Sequence, residues 1–153
     1  MSALSIRPLG REDQPGWRPL WDGYNAFYGR LGETALPESI TWQTWERFFD
    51  PAEAMHALVA EHEGQVVGLV HYLFHRSTTR MHDVCYLQDL YTLQSMRGKG
   101  VGRHLIEAVY EAARQKGSNR VYWHTFDTNL PGRALYDKMT TYTGAIMYGY
   151  DIK

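Results

Sequence analysis

The chain carries one cysteine, Cys85, in 153 residues, which excludes an internal disulfide framework and suits a reducing compartment. It also lacks an excess of charge: sixteen Lys and Arg against seventeen Asp and Glu leave a formal charge of −1. A nucleic-acid binder is expected to show a basic surplus, so no nucleic-acid partner is expected. No uninterrupted apolar run approaches the ~18 residues of a membrane-spanning helix, so no membrane partner is expected either. The start, Met1 to Pro8, has no basic stretch leading into an apolar core, so it does not read as an export signal. Internal repeats, low-complexity tracts and linkers are missing too. What is present is 44% hydrophobic and 14% aromatic content, at a length that fits one domain over residues 1–153 with a real core. A single soluble, cytoplasmic domain is the expectation.

The hydrophobic period changes along the chain. Ser5 to Leu9 reads as a short edge strand closed by Pro8. Trp17, Leu20, Trp21, Tyr24, Phe27 and Tyr28 recur at helical spacing, and Trp42, Trp45, Phe48 and Phe49 mark a second helix after Pro37. Most of this aromatic stripe is expected to pack on a sheet, with Tyr24 and Tyr28 the rings best placed to wall a pocket. From Ala57 the pattern becomes extended, and Glu63-Gly64 between two such runs marks a hairpin. Asp83 to Leu93 forms the next strand. A helix follows from Val101 until Gly117 ends it, then a strand over 120–126. Asn129-Leu130-Pro131 begins another helix with an amide cap, and 145–150 reads as a final strand. The element order describes an α/β layer protein with a mixed sheet.

The organising stretch runs from Leu90 to Ile106, where a strand ends in Arg97-Gly98-Lys99-Gly100-Val101-Gly102-Arg103 and a helix begins at once. Glycines let the backbone approach a ligand closely, and the unpaired N–H groups of a first helical turn favour an anion. Arg97, Lys99 and Arg103 add positive charge, so the loop reads as a phosphate cradle. A P-loop would need a lysine followed by Ser or Thr after its glycines, and none stands here. A dinucleotide fingerprint would need Gly-x-Gly-x-x-Gly and an acid about 20 residues on, and the spacing Gly98-x-Gly100-x-Gly102 supplies neither.

Arg97-x-x-Gly100-x-Gly102 between strand and helix resembles the coenzyme A pyrophosphate loop of the GNAT acetyltransferase superfamily. Tyr86 to Tyr91 before it, Val121-Tyr122-Trp123 after it, and Asn129 with Leu135-Tyr136-Asp137-Lys138 later all fit that resemblance, most closely its diamine, polyamine and small histone acetyltransferase branch. The resemblance implies a mixed, mostly antiparallel central sheet of six to seven strands flanked by about four helices. It implies acetyl transfer from acetyl-CoA to a primary amine, by direct attack in a ternary complex. It further implies a small-molecule amine substrate (a polyamine, diamine or amino-acid-like compound) and a homodimer. In that reading the backbone of Leu90, Tyr91 and Thr92 grips the pantetheine and thioester. Arg97, Gly98, Lys99, Gly100, Val101, Gly102 and Arg103 hold the pyrophosphate, and Asn129 reaches coenzyme amides.

Three chemical tasks remain: the amine must lose a proton, the carbonyl oxygen must be stabilised, and the thiolate must be protonated. On its residue pattern Tyr136 is a packed helix aromatic; the resemblance makes it the general acid, on the same helical face as Asn129 seven positions earlier. Relatives of the polyamine type carry two adjacent acids where this chain has Gln88-Asp89, and Gln88 cannot take a proton. Asp89 is left as a base or ammonium anchor, or as a structural residue; both readings stay open. Strict alternation puts Gln88 and Asp89 on opposite faces, so both reach one site only through a bulge. Gln88, Trp123 and His124 are expected to border the acceptor, with Tyr24 and Tyr28. No metal is expected, because the seven histidines show no ligand spacing: His71 and His75 are four apart, but on a strand. Cys85 reads as a small buried strand residue, not an acyl carrier. Two other functions compete: acetylation of protein or histone lysines, and a non-catalytic module that only binds acyl-CoA.

Overall fold

Nine regular elements, four of them α-helices, account for most of the chain in the structure, a computed structural model that describes residues 3–153. Met1 and Ser2, which begin the segment read above for an export signal, lie outside the described residues. The structure falls into two compact units that meet in sequence at Trp123 and His124.

The first unit is built on one five-stranded sheet in the order β1-β2-β3-β4-β5. The strands are β1 Ser5–Pro8, β2 Met55–His62, β3 Gln65–His75, β4 Val84–Thr92 and β5 Val121–Tyr122. The first three contacts are antiparallel and β4 pairs parallel to β5, so the sheet is mixed. The hairpin joining β2 and β3 turns at Glu63-Gly64, both at positive φ (52° and 75°), as a two-residue turn requires.

Two amphipathic layers cover the sheet. On one face lies α1, Gln14–Phe27, which forms despite Pro19 because Trp17, Leu20, Trp21 and Tyr24 are all buried by it. Aromatic rings of this size bury roughly 150–250 Å² each, enough to outweigh the lost backbone bond. With Trp45 of α2, Glu38–Arg47, and with Val59 and Leu69 of the sheet they make the core. Arg7 of β1 ties this layer down, donating to Asp13 at 2.7 Å and to Glu61 at 2.9 Å. The other face carries α3, Val101–Gln115, whose Val101, Leu105, Ile106, Val109 and Ala113 are buried. Here the backbones come close: a Cβ on Gly68 would stand 2.8 Å from Val101 Cγ1.

The second unit, His124–Lys153, contains α4, Leu130–Met139, started by Asn129 and by a proline in its first turn as the sequence indicates. Two strand expectations need correction. The sheet has five strands, not six to seven: residues 145–150 form no strand, and the strand expected over 120–126 is two residues long. A short apolar segment becomes a strand only where a neighbouring edge offers it N–H and C=O partners, and among the described residues 145–150 finds none. No helix of the described residues is long and apolar enough to cross a membrane.

Candidate active site

The pairing of β3 with β4 slips by one residue in the middle. His71 stands opposite Asp89 and Tyr72 opposite Leu87, which leaves Gln88 as the extra residue of a bulge. The bulge undoes strict alternation. Gln88 is exposed, while Asp89 turns into the aromatic face under α1 and is only 9% exposed. The two side chains still part, and Gln88 meets the Asp89 side only through its backbone, where the Tyr24 hydroxyl donates to the Gln88 carbonyl oxygen at 3.4 Å.

A chain of buried polar groups ends at Asp89. Trp17 Nε1 donates to His71 Nε2 at 3.1 Å, and His71 Nδ1 lies 2.9 Å from Asp89 Oδ2. His71 is 2% exposed and is enclosed by Trp17, Trp21 and Phe48, with ring centroids at 6.0, 5.3 and 4.5 Å. Tyr24 completes the group from α1. Burial, and then the nearby Asp89 charge, push its hydroxyl far above the usual tyrosine range, so it serves as a hydrogen-bond donor at any working pH. The same two causes, in the same order, raise Tyr86 on β4.

The sequence reading missed two members of this site. His71 was weighed only as a metal ligand, although a histidine inside the apolar run Val66 to Phe74 must find a buried partner. Arg30 follows α1, its Nε held by the buried Asn25 at 2.7 Å and its guanidinium 5.8 and 5.6 Å from the Tyr24 and Tyr28 ring centres. Tyr24 and Tyr28 themselves pack at 5.0 Å. A carboxylate, a guanidinium and two tyrosines thus share one patch on the α1 face.

Three residues beyond Asp89, β4 ends and runs into the glycine loop. Gly98 and Gly100 hold φ of 77° and 85°, the left-handed region that L side chains avoid. Gly100 caps α3, and its carbonyl accepts from both the backbone N–H and the Nδ1 of His104, at 3.0 and 2.7 Å. The first-turn amides of Val101, Gly102 and Arg103 have no helical acceptor by construction, and Gly98 to Gly100 are exposed beside them. The loop therefore suits a phosphate group. Its cations are less uniform than the sequence suggests. Arg97 folds back, donating to the Thr92 carbonyl at 3.2 Å with its guanidinium 5.2 Å from the Tyr91 ring centre, and Arg103 pairs with Glu107 at 3.2 Å. Lys99 is exposed. Tyr91 is pressed against α1, where a Cβ on Gly23 would stand 2.6 Å from its hydroxyl oxygen.

The remaining candidates are placed as follows. Trp123 packs on Tyr110 of α3, ring centroids 6.4 Å apart. In the second unit, Asn129 uses its amide as the cap of α4: Oδ1 accepts from Gly132 N at 3.3 Å and Nδ2 donates to Thr125 Oγ1 at 2.9 Å. Tyr136 lies on α4, half-buried, and His124 is exposed. Among the described residues, no group of three His, Cys, Asp or Glu side chains converges as metal ligands would. Cys85 is fully buried on β4, and burial pushes its thiol up to about 12. At pH 8 it is therefore a thiol, not a thiolate. A colorimetric thiol reagent should find no reactive sulfur in the native protein and one per chain after denaturation.

The fold is shared with solved structures. An aminoglycoside N-acetyltransferase solved in complex with CoA superposes with a TM-score of 0.82 at 18% identity, covering all of this chain and 97% of that one. Residues 17–140 match the acetyltransferase (GNAT) family, and the chain belongs to that family of N-acetyltransferases. It is 33% identical to the D-amino-acid N-acetyltransferase of Saccharomyces cerevisiae over 147 residues, 95% of this chain and 89% of that protein. It is also 36% identical to the thialysine N-epsilon-acetyltransferase of Bos taurus, over 71 residues, 46% of this chain and 41% of that one.

Proposed function

We propose that this protein transfers the acetyl group of acetyl-CoA directly to the primary amine of a small, amino-acid-like molecule. One observation carries the reading: a buried carboxylate at the β4 bulge, followed within the same strand-loop-helix segment by an anion cradle. The cradle takes the coenzyme pyrophosphate on the amides of Gly98 to Arg103. The end of β4, Leu90 to Thr92, takes the thioester arm. Asp89 attracts the substrate ammonium and removes its proton, directly or through water, so that the lone pair can attack the thioester carbonyl. Trp123 and the Gln88 backbone border the acceptor in this reading; acceptor and coenzyme roles for His124 and Asn129 rest on the sequence resemblance. The exposed apolar residues Ile146, Met147, Tyr148, Tyr150 and Ile152 support a homodimer in which a second copy covers the C-terminal segment. A single domain over residues 1–153 and a cytoplasmic site of action complete the reading.

Arg30 favours amino acids over diamines within this class. Its guanidinium sits on Tyr24 and Tyr28 while Asp89 lies beside the Tyr24 hydroxyl, so an anionic and a cationic anchor flank one aromatic patch. That arrangement suits a molecule bearing both an ammonium and a carboxylate, and the yeast relative is a D-amino-acid N-acetyltransferase. The test is release of free CoA thiol with a panel of D- and L-amino acids, diamines, polyamines and a lysine peptide. Amino acids should turn over fastest, and Arg30→Ala should raise their KM roughly 10- to 100-fold, the worth of one charge-assisted hydrogen bond. Diamine KM should stay within about twofold in that variant, since it removes no contact to an ammonium. Tight acetyl-CoA binding without turnover of any amine would overturn the enzymatic reading.

Tyr136 is proposed as the acid that protonates the departing thiolate. A thiolate is a good leaving group, its thiol having an ordinary pKa near ~8.5, so the demand on an acid is modest. Tyr136→Phe should lower kcat about 10-fold and leave acetyl-CoA affinity unchanged; an unaltered kcat would return the residue to packing.

A further inference from the structure

We propose that His71, held in one tautomer by Trp17, is a positioning residue that aims Asp89 and closes off its inner side. The proposal rests on the acetyl-transfer reading above. The indole N–H is a donor with no accepting capacity. Because Trp17 Nε1 donates to His71 Nε2 at 3.1 Å, Nε2 must be the unprotonated nitrogen of the ring. The single ring proton is then on Nδ1, 2.9 Å from Asp89 Oδ2, and it is donated to that oxygen. Trp17 is 0% exposed and His71 2% exposed, so neither bond competes with water. The imidazole cannot turn to another partner either, since Trp21 and Phe48 pack on it from other directions.

Two consequences follow for the chemistry. One oxygen of Asp89 is committed to His71 and orients the carboxylate, as a second residue orients the base in a catalytic dyad. The other properties of the arrangement concern the proton. When an ammonium N–H bond breaks and an Asp89 O–H bond forms, the proton cannot pass inward: Nδ1 already carries one, and Nε2 is occupied by Trp17. It must leave Asp89 toward the site and solvent. The groups facing Asp89 are Tyr24 from α1, with Tyr28 and Arg30 packed against that ring, Tyr86 on its own strand and His71 on β3. Of these, His71 makes the short, fully buried contact with the carboxylate.

The geometry can be tested with substitutions that separate the two ring nitrogens. An asparagine amide at position 71 places an N–H donor where Nδ1 stands, whereas glutamine reaches toward the Nε2 position and leucine supplies neither. His71→Asn should keep kcat within about threefold of the wild type, while His71→Gln and His71→Leu should lose about 10-fold or more. The KM for acetyl-CoA should stay within about twofold in all three. Glutamine performing as well as asparagine, or all three variants losing kcat equally, would overturn the proposal, because a purely packing role does not distinguish the nitrogens. A measurement on the wild type covers variants that fail to fold. The long-range ¹H–¹⁵N spectrum of the His71 ring should show the proton on Nδ1 and none on Nε2; a proton on Nε2 overturns the clamp. Failure of the parent activity is a separate result. A wild type that acetylates no amine sinks the acetyl-transfer reading, and with it the positioning role, even if the tautomer is as stated.

Discussion

Asp89→Asn should lower kcat by about two to four orders of magnitude, the usual contribution of a positioned general base. The substitution is nearly isosteric. Its amide oxygen can still accept from His71 Nδ1, so the 2.9 Å contact and the β4 bulge need not change. What goes is the negative charge that draws an ammonium and the lone pair that takes its proton. Acetyl-CoA affinity should be preserved, because the cradle begins beyond the end of β4. Steady-state kinetics with the best amine of the panel, paired with calorimetric titration of acetyl-CoA, separates the two quantities. A kcat within threefold of the wild type would show that Asp89 is a structural partner of His71 and no more. That was the alternative its sequence context left open.

Gly100→Val should weaken acetyl-CoA binding by about two to four orders of magnitude. Gly100 holds φ of 85°, where an L residue is strained by roughly 1–2 kcal/mol and a β-branched one more so. Relaxing that strain moves the cap of α3 and turns the first-turn amides away from the pyrophosphate. A charge-assisted hydrogen bond is worth about 1.5–3 kcal/mol, so loss of two accounts for that range of affinity. The new side chain also meets the His104 ring, which stands 3.5 Å from the position of a Cβ. Val101, Leu105 and Ile106 still anchor the helix, so the fold should survive. Calorimetry on the folded variant is the measurement, and affinity within tenfold of the wild type would remove Gly100 from the cradle.

Much of the local structure around the candidate site is legible in the sequence. The glycine loop combines a strand end, positive-φ glycines and a helix start in one segment, so local chemistry reveals it. Asn129 and its proline mark the start of α4 for the same reason, although the structure shows that the Asn129 amide serves the helix cap. The Glu63-Gly64 turn was equally plain. Other features escaped because they depend on residues far apart in the chain. His71 and Asp89 are 18 positions apart, Trp17 and His71 are 54. Only strand pairing brings the first two together, and only the packing of α1 on the sheet brings the third. Arg30 escaped because a single arginine after a glycine carries no pattern. The strands are overcounted because the apolar run at 145–150 has strand-like composition without a neighbouring edge.

By itself, then, the sequence determined the glycine turn ahead of α3, the hairpin and the helix starts. These rest on residues within one or two turns of each other, where backbone sterics and hydrogen-bond capping act without help. The tertiary structure decided which way Asp89 faces and what surrounds it. Alternation alone left it unclear which of Gln88 and Asp89 would face the site. The one-residue slip against β3 turned Gln88 out and Asp89 in, and the aromatic layer of α1 supplied the dry surroundings that bind it to His71. A register and a burial are properties of two segments in contact, and neither is written in one segment.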